Sequence, residues 1–164
     1  MAEFAKKRDN LLRKIASYDQ CIVAFSAGVD SAVVAKASAL ALGDCAVLVT
    51  AQSASLADGE LELACDLATQ MGLRHHVIQT SELDKKDYRQ NRPDRCFHCK
   101  TELYGHLAEL ARQWKIRVIV NGANADDLMD YRPGMRAAKD FRVESPLATC
   151  GFTKVDVRGL AAHW

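Results

Sequence analysis

Four short runs without apolar/polar alternation constrain this chain more than any other feature: CIVAF at 21–25, CAVLVT at 45–50, HHVIQT at 75–80 and IRVIVN at 116–121. Each is too short for a stable helix, and the lack of alternation predicts strands covered on both faces. Helical patterns separate them. Residues 3–17 place Phe4, Leu11, Leu12 and Ile15 among charges, and residues 30–42 form an Ala/Val/Leu-rich helix stopped by Gly43. A third helix is expected from an Asp58 cap to about Met71, with Leu61, Cys65 and Ala68 inward and Gly72 as its stop. A fourth covers 97–114, with Leu103, Leu107, Leu110, Ala111 and Trp114 inward. Strand and helix in strict alternation mean an α/β chain with a doubly wound parallel sheet.

The ends of this pattern carry further expectations. Residues 80–95 read as a charged, irregular connection, and His75 and His76 as surface or edge residues. Thr153 and Asp156 have capping-box spacing and start an amphipathic helix only about ten residues before Trp164. One domain is therefore expected over residues 1–164, lacking a C-terminal region.

Charge and cysteine usage exclude several classes. The 22 basic and 21 acidic residues leave +1, so no polyelectrolyte field points at nucleic acid or lipid. No apolar run approaches the ~20 residues of a spanning helix, and MAEFAKKRDN lacks the apolar centre of a signal peptide. Cys21, Cys45 and Cys65 lie in apolar segments and are expected to act as small hydrophobes. Scattered cysteines in a chain this size fit a reducing compartment, hence the cytoplasm.

Open α/β sheets bind ligands at the carboxyl ends of their strands, and the first such turn is Ser26-Ala27-Gly28-Val29-Asp30-Ser31. It has no lysine and is not a Walker loop; nor does it contain G-x-G-x-x-G. It combines small residues, two hydroxyls and the free N–H groups of a helix N-terminus, which attract anions. Asp30 would repel bare phosphate, which suits either a helix cap or a magnesium ligand. Both readings stand on spacing alone: Ser26 and Asp30 as caps, or the whole turn as an anion cradle.

The turn resembles the S-G-G-x-D-S loop of the PP-loop ATP pyrophosphatases, a group that includes NAD, GMP and asparagine synthetases and tRNA thiolases. Ala27 replaces the first glycine; alanine resists positive φ, so a slightly reshaped loop is expected. NGANADDLMDYRPGMRAA at 121–138 resembles the corresponding segment of the LarE family, ATP-dependent sacrificial sulfur transferases. RCFHCK, SPL and TKVDVRGLA follow the same order, so the resemblance spans about residues 10–164.

The resemblance implies a three-layer α/β/α, adenine nucleotide alpha hydrolase-like fold and a set of functional residues. The enzyme would adenylate a carboxylate of pyridinium-3,5-biscarboxylic acid mononucleotide, release pyrophosphate and insert sulfur, in biosynthesis of the nickel-pincer nucleotide of lactate racemase. ATP and Mg²⁺ would be required, with Asp30, Ser31 and Asp127 catalytic and Asp30 also meeting magnesium. Ser26, Ala27, Gly28, Val29, Asp30 and Ser31 would cradle the phosphates. Ala24, Phe25, Gln52 and Ser53 would lie near adenine and ribose, with Gly122, Asp126, Tyr131 and Arg132 completing the nucleotide and substrate contacts. A homo-oligomer is implied, as is handover to other enzymes of the pathway.

Cys96 and Cys99 form a C-x-x-C that alone reads as a zinc half-site, a redox pair, iron–sulfur ligands or chance. The resemblance favours two ligands of a 4Fe-4S cluster, with the third family cysteine falling beyond Trp164. Cys150 matches no known ligand position and is expected to be an incidental small residue. Arg136, Lys139 and Arg142 follow Pro133-Gly134 as a basic group, either substrate donors or a solvated face.

Overall fold

A computed structural model describes residues 2–53, 56–81, 95–130 and 133–164, the side chains of 95 and 96 excepted. In chain order the elements are α1 (Ala2–Ala16), β1 (Cys21–Ala24), α2 (Val29–Leu42), β2 (Ala46–Gln52), α3 (Glu60–Met71) and β3 (Arg74–Gln79). Then come α4 (Arg95–Trp114), β4 (Ile119–Val120), α5 (Pro133–Asp140), α6 (Pro146–Thr149) and α7 (Lys154–His163). All strand pairs are parallel, in the order β3-β2-β1-β4. Val23 sits opposite Leu48 on one side and Val120 on the other.

The expected cover on both faces is present over β1 and β2, and the residues alternate between two cores. Cys21, Val23, Phe25, Ala46 and Leu48 pack with α1, α2, α3 and α7. Ile22, Val47 and Val49 pack with α4 and α5 instead. Helices lie on each side of one sheet, giving three layers. Because the chain steps from β1 to β2 to β3 and then crosses to β4, neighbouring connections diverge at the carboxyl ends of β1 and β4. That divergence opens the crevice in which such sheets bind ligands.

Several expectations are corrected. The fourth strand is two residues long rather than six, because Ile116 N–H turns back to Ala111 O (2.9 Å) to close α4. Glu144 covers the outer edge of β4, donating to Ile119 O (2.8 Å) and accepting from Asn121 N–H (3.0 Å). Gly59, at φ 85°, stands at the N-cap of α3 in place of Asp58. The buried stripe of α3 runs through Ala64 and Ala68, and Cys65, about 100° round the helix from Ala64, is exposed. Cys45 is exposed as well, so among these three thiols only Cys21 is a core residue. Trp114 is half-buried, meeting His76 edge-on at 5.3 Å, while the unpredicted Tyr104 lies fully in the core. His75 and His76 lie within β3, at the sheet edge. Among the described residues no helix is long and apolar enough to cross a membrane.

Candidate functional site

The turn after β1 is shaped by its own hydroxyls. Ser31 Oγ donates to Gly28 O (3.1 Å) and receives Ser26 N–H (3.2 Å). With its one proton committed, Ser31 Oγ must accept from Ser26 Oγ at 3.1 Å. Gly28 N–H in turn reaches Ser26 Oγ at 3.4 Å. Gly28 is the N-cap of α2, and no side chain caps the helix. The capping alternative for Ser26 and Asp30 therefore gives way. The amides of Val29, Asp30 and Ser31 are left without intrahelical acceptors at the positive end of the helix dipole.

Ala27 takes φ 63°, the left-handed conformation that alanine resists. Gly122 follows β4 and meets this loop from the other side. A Cβ there would lie 2.7 Å from Ser31 N and 2.9 Å from Asp30 C, both backbone atoms that cannot swing away. Glycine at 122 is what lets the end of β4 pack directly on the first turn of α2.

Asp30 is held by two residues that spacing alone did not single out. Its Oδ2 pairs with Lys154 Nζ, and its Oδ1 accepts from Asn124 Nδ2 at 3.3 Å. Asn124 is buried, and its Oδ1 accepts from Asp126 N–H (2.9 Å) and Asp127 N–H (3.3 Å). Asp127 Oδ2 closes this small turn by accepting Asn124 N–H at 3.0 Å. Lys154 is delivered by α7, whose capping box is formed as expected: Asp156 N–H reaches Thr153 Oγ1, and Thr153 N–H reaches Asp156 Oδ2. Burial of Asp156 works against its charge. Even so, Lys7 at 2.8 Å and the Thr153 donors hold its carboxyl below the usual range.

A cavity of about 440 Å³ opens at this crevice. Ala24, Phe25, Ser26, Gly28, Asp30 and Ser31 line it, as do Ser53, Gly122 and Asp127, so most of the expected residues are brought together. Four others are not in the lining. Ala27 and Val29 pack against the apolar core. Gln52 accepts from Gln79 Nε2 across the β2–β3 edge at 2.8 Å. Asp126 accepts Lys154 N–H at 2.8 Å and so caps α7. Tyr131 and Arg132 lie outside the described residues.

The opposite wall comes from α4 and α5. Cys99, Lys100, Leu103 and Tyr104 line it, with Gly134 and Met135 beyond. Tyr104 Oη accepts from Asn121 Nδ2 at 3.2 Å, and Ser145 Oγ fixes that amide by donating to Asn121 Oδ1 at 2.8 Å. Arg136 lies over the Phe97 ring at 4.9 Å, so part of the basic group faces α4. The Cys96 side chain lies outside the described residues. Among the described residues no group of three metal-ligating side chains is present, and Cys150 packs on the α1–α2 side of the sheet, away from α4. Burial pushes the Cys150 thiol up, and Lys14 only partly offsets this. The described donors thus make no complete cluster site.

No protein-family model matches the chain. An uncharacterized protein of Synechocystis sp. is 41% identical over 155 residues, covering 94% of this chain and 58% of that protein. The pyridinium-3,5-bisthiocarboxylic acid mononucleotide synthase of Lactiplantibacillus plantarum is 32% identical over 162 residues, 98% of this chain and 59% of its own length. The chain therefore spans about three fifths of the curated relatives it matches. Among solved structures, an NH3-dependent NAD synthetase from Campylobacter jejuni superposes with a TM-score of 0.76 at 15% identity, covering 98% of this chain and 72% of that one. A U34-tRNA thiolase from Methanococcus maripaludis with its 4Fe-4S cluster gives 0.69 at 18% identity, over 99% and 64%. The fold is thus the three-layer α/β/α, adenine nucleotide alpha hydrolase-like fold of the PP-loop proteins.

Proposed function

We propose that this chain is the PP-loop domain of an ATP-dependent sulfur transferase of LarE type. Its substrate is pyridinium-3,5-biscarboxylic acid mononucleotide, and its place is in nickel-pincer nucleotide biosynthesis. The observation that carries the reading is the uncapped first turn of α2, opening into the cavity beside Asp30 and Lys154. The 32% identical synthase supports the choice of substrate. In this reading the chain is part of a longer cytoplasmic enzyme that assembles as a homo-oligomer and hands its product to other enzymes of the pathway.

A carboxylate is a poor electrophile because oxide is a poor leaving group. Its oxygen attacks the α-phosphorus of ATP, the bond to the bridging oxygen breaks, and pyrophosphate leaves with the electron pair. The amides of Val29, Asp30 and Ser31 bind the departing phosphates, and Lys154 adds a positive charge beside them. Asp30 and Asp127 present the hard oxygen donors that magnesium takes, and the ion when bound supplies further charge neutralisation. Phe25, Ala24 and Ser53 form the wall for adenine and ribose. The acyl adenylate then loses AMP to a sulfur nucleophile. Within this proposal Cys96 and Cys99 are iron ligands contributed by this chain.

The test is pyrophosphate release from ATP and magnesium with and without pyridinium-3,5-biscarboxylic acid mononucleotide. Release that depends on the mononucleotide is expected. Release driven by tRNA instead would replace the substrate, and AMP binding without any release would make the domain a nucleotide sensor.

A further inference from the structure

A chain of three hydrogen-bonding groups runs from the sheet edge to the phosphate-binding turn. Thr50 is buried on β2, and its Oγ1 lies 2.8 Å from Phe25 O and 2.7 Å from His75 Nε2. A carbonyl can only accept, so the single Thr50 proton goes to Phe25. His75 Nε2 must then be the donor to Thr50, which sets the ring's tautomer. The His75 ring also meets the Phe25 ring edge-on at 6.0 Å.

Phe25 is where the chain leaves the sheet. Its N–H still donates to Val49 O at 2.9 Å, and its carbonyl is the one Thr50 takes. That carbonyl shares a planar trans peptide with Ser26 N–H, so fixing one end aims the other in the opposite direction. The Ser26 N–H lands on Ser31 Oγ at 3.2 Å, one residue before the left-handed Ala27. A strained loop persists only where its surroundings over-determine it.

We propose that Thr50 and His75 are positioning residues for the phosphate-binding turn, pinning the Phe25–Ser26 peptide so that the first turn of α2 stays open to the triphosphate of a nucleotide. This rests on the reading of the site as an ATP site. Neither residue belongs to the turn; Thr50 lines the cavity with its hydroxyl committed to Phe25 O, and His75 is not part of the lining.

The test uses the full chain and Thr50→Val, which keeps the shape and removes the hydroxyl, beside Thr50→Ser, which restores it. Amide exchange of Ser26, read by NMR without nucleotide, is expected to speed up several-fold in Thr50→Val and to return to the wild-type rate in Thr50→Ser. Affinity for ATP is expected to fall about fivefold in Thr50→Val, the order of one neutral hydrogen bond, with a smaller change for adenosine. His75→Phe should give a loss of the same sign. Unchanged Ser26 exchange in Thr50→Val, or equal losses for ATP and adenosine, would overturn the proposal. If exchange responds as expected and the wild-type chain binds no ATP, the positioning stands and the reading of the site as an ATP site falls.

Discussion

Lys154 and Asp30, 124 positions apart in the chain, meet as an ion pair at the open N-terminus of α2. Asp30 is the acid of the turn after β1 and Lys154 the first residue of α7. The pair therefore ties the helix nearest the C-terminus to the turn after the first strand. Asn124, beyond the end of β4, joins them by donating to Asp30 Oδ1 at 3.3 Å.

Breaking this pair has a chemical consequence. Asp30→Asn keeps the shape and removes the charge; it is expected to abolish pyrophosphate release, and normal turnover would end its metal role. Lys154→Met should lower release by roughly ten- to a hundredfold, the order of a charge-assisted hydrogen bond.

The left-handed alanine offers a stability test. An L-residue with a side chain in this conformation costs about 1–2 kcal/mol, and glycine returns part of that gain through its freer unfolded chain. Ala27→Gly is expected to raise the unfolding free energy by roughly 0.5–1 kcal/mol. Ala27→Val should lower it. Urea denaturation checks both.

Gly122→Ala should act in the opposite sense. Its methyl would press on Ser31 N at 2.7 Å, forcing the end of β4 away from α2. Overpacking of this kind costs about 1–3 kcal/mol, and nucleotide affinity should fall with it. A wild-type melting temperature in this variant would show that the close approach is dispensable.

His75 gives a pH dependence whose sign follows from its surroundings. Burial, and then the neighbouring His76, lower its pKa from 6.5. Below that pH the unfolded chain binds the proton more readily than the folded one, so stability falls as pH drops through 6.5. The fall levels off below the folded-state value. Denaturant midpoints measured between pH 8 and 5 should show this slope, and His75→Phe should flatten it.

The cysteine pair is tested by metal content. After anaerobic reconstitution with iron and sulfide, Cys96→Ser with Cys99→Ser is expected to remove bound iron. Unchanged iron would refute the ligand assignment, and stoichiometric zinc in the wild-type chain would make the pair structural.

Much of the scaffold was legible in the residues themselves, because local signals act over a few positions. Gly72, at φ 68°, ends α3 as expected, and the Thr153–Asp156 capping box opens α7. Strand length was less legible. The residues of IRVIVN have the composition of a full strand, yet the C-terminal turn of α4 takes Ile116, leaving Ile119 and Val120 as β4. On α3 the expected Ala68 is buried, but Ala64 is buried where Cys65 was expected: with only alanines buried, packing partners rather than side-chain size chose the stripe.

By itself the sequence determined the alternation of strands and helices, the parallel sheet and the small-residue turn at 26–31 that opens α2, since each depends on neighbours in the chain. Only the tertiary structure decided which acid faces the cavity and which serves a helix. Asp126 and Asp127 are adjacent, yet Asp126 caps α7 while Asp127 lines the cavity. It also decided that Lys154 reaches Asp30 and that Thr50 holds Phe25. The first depends on how helices settle on the sheet and the second on the register of β1 against β2, long-range outcomes of burying apolar surface that no local spacing encodes.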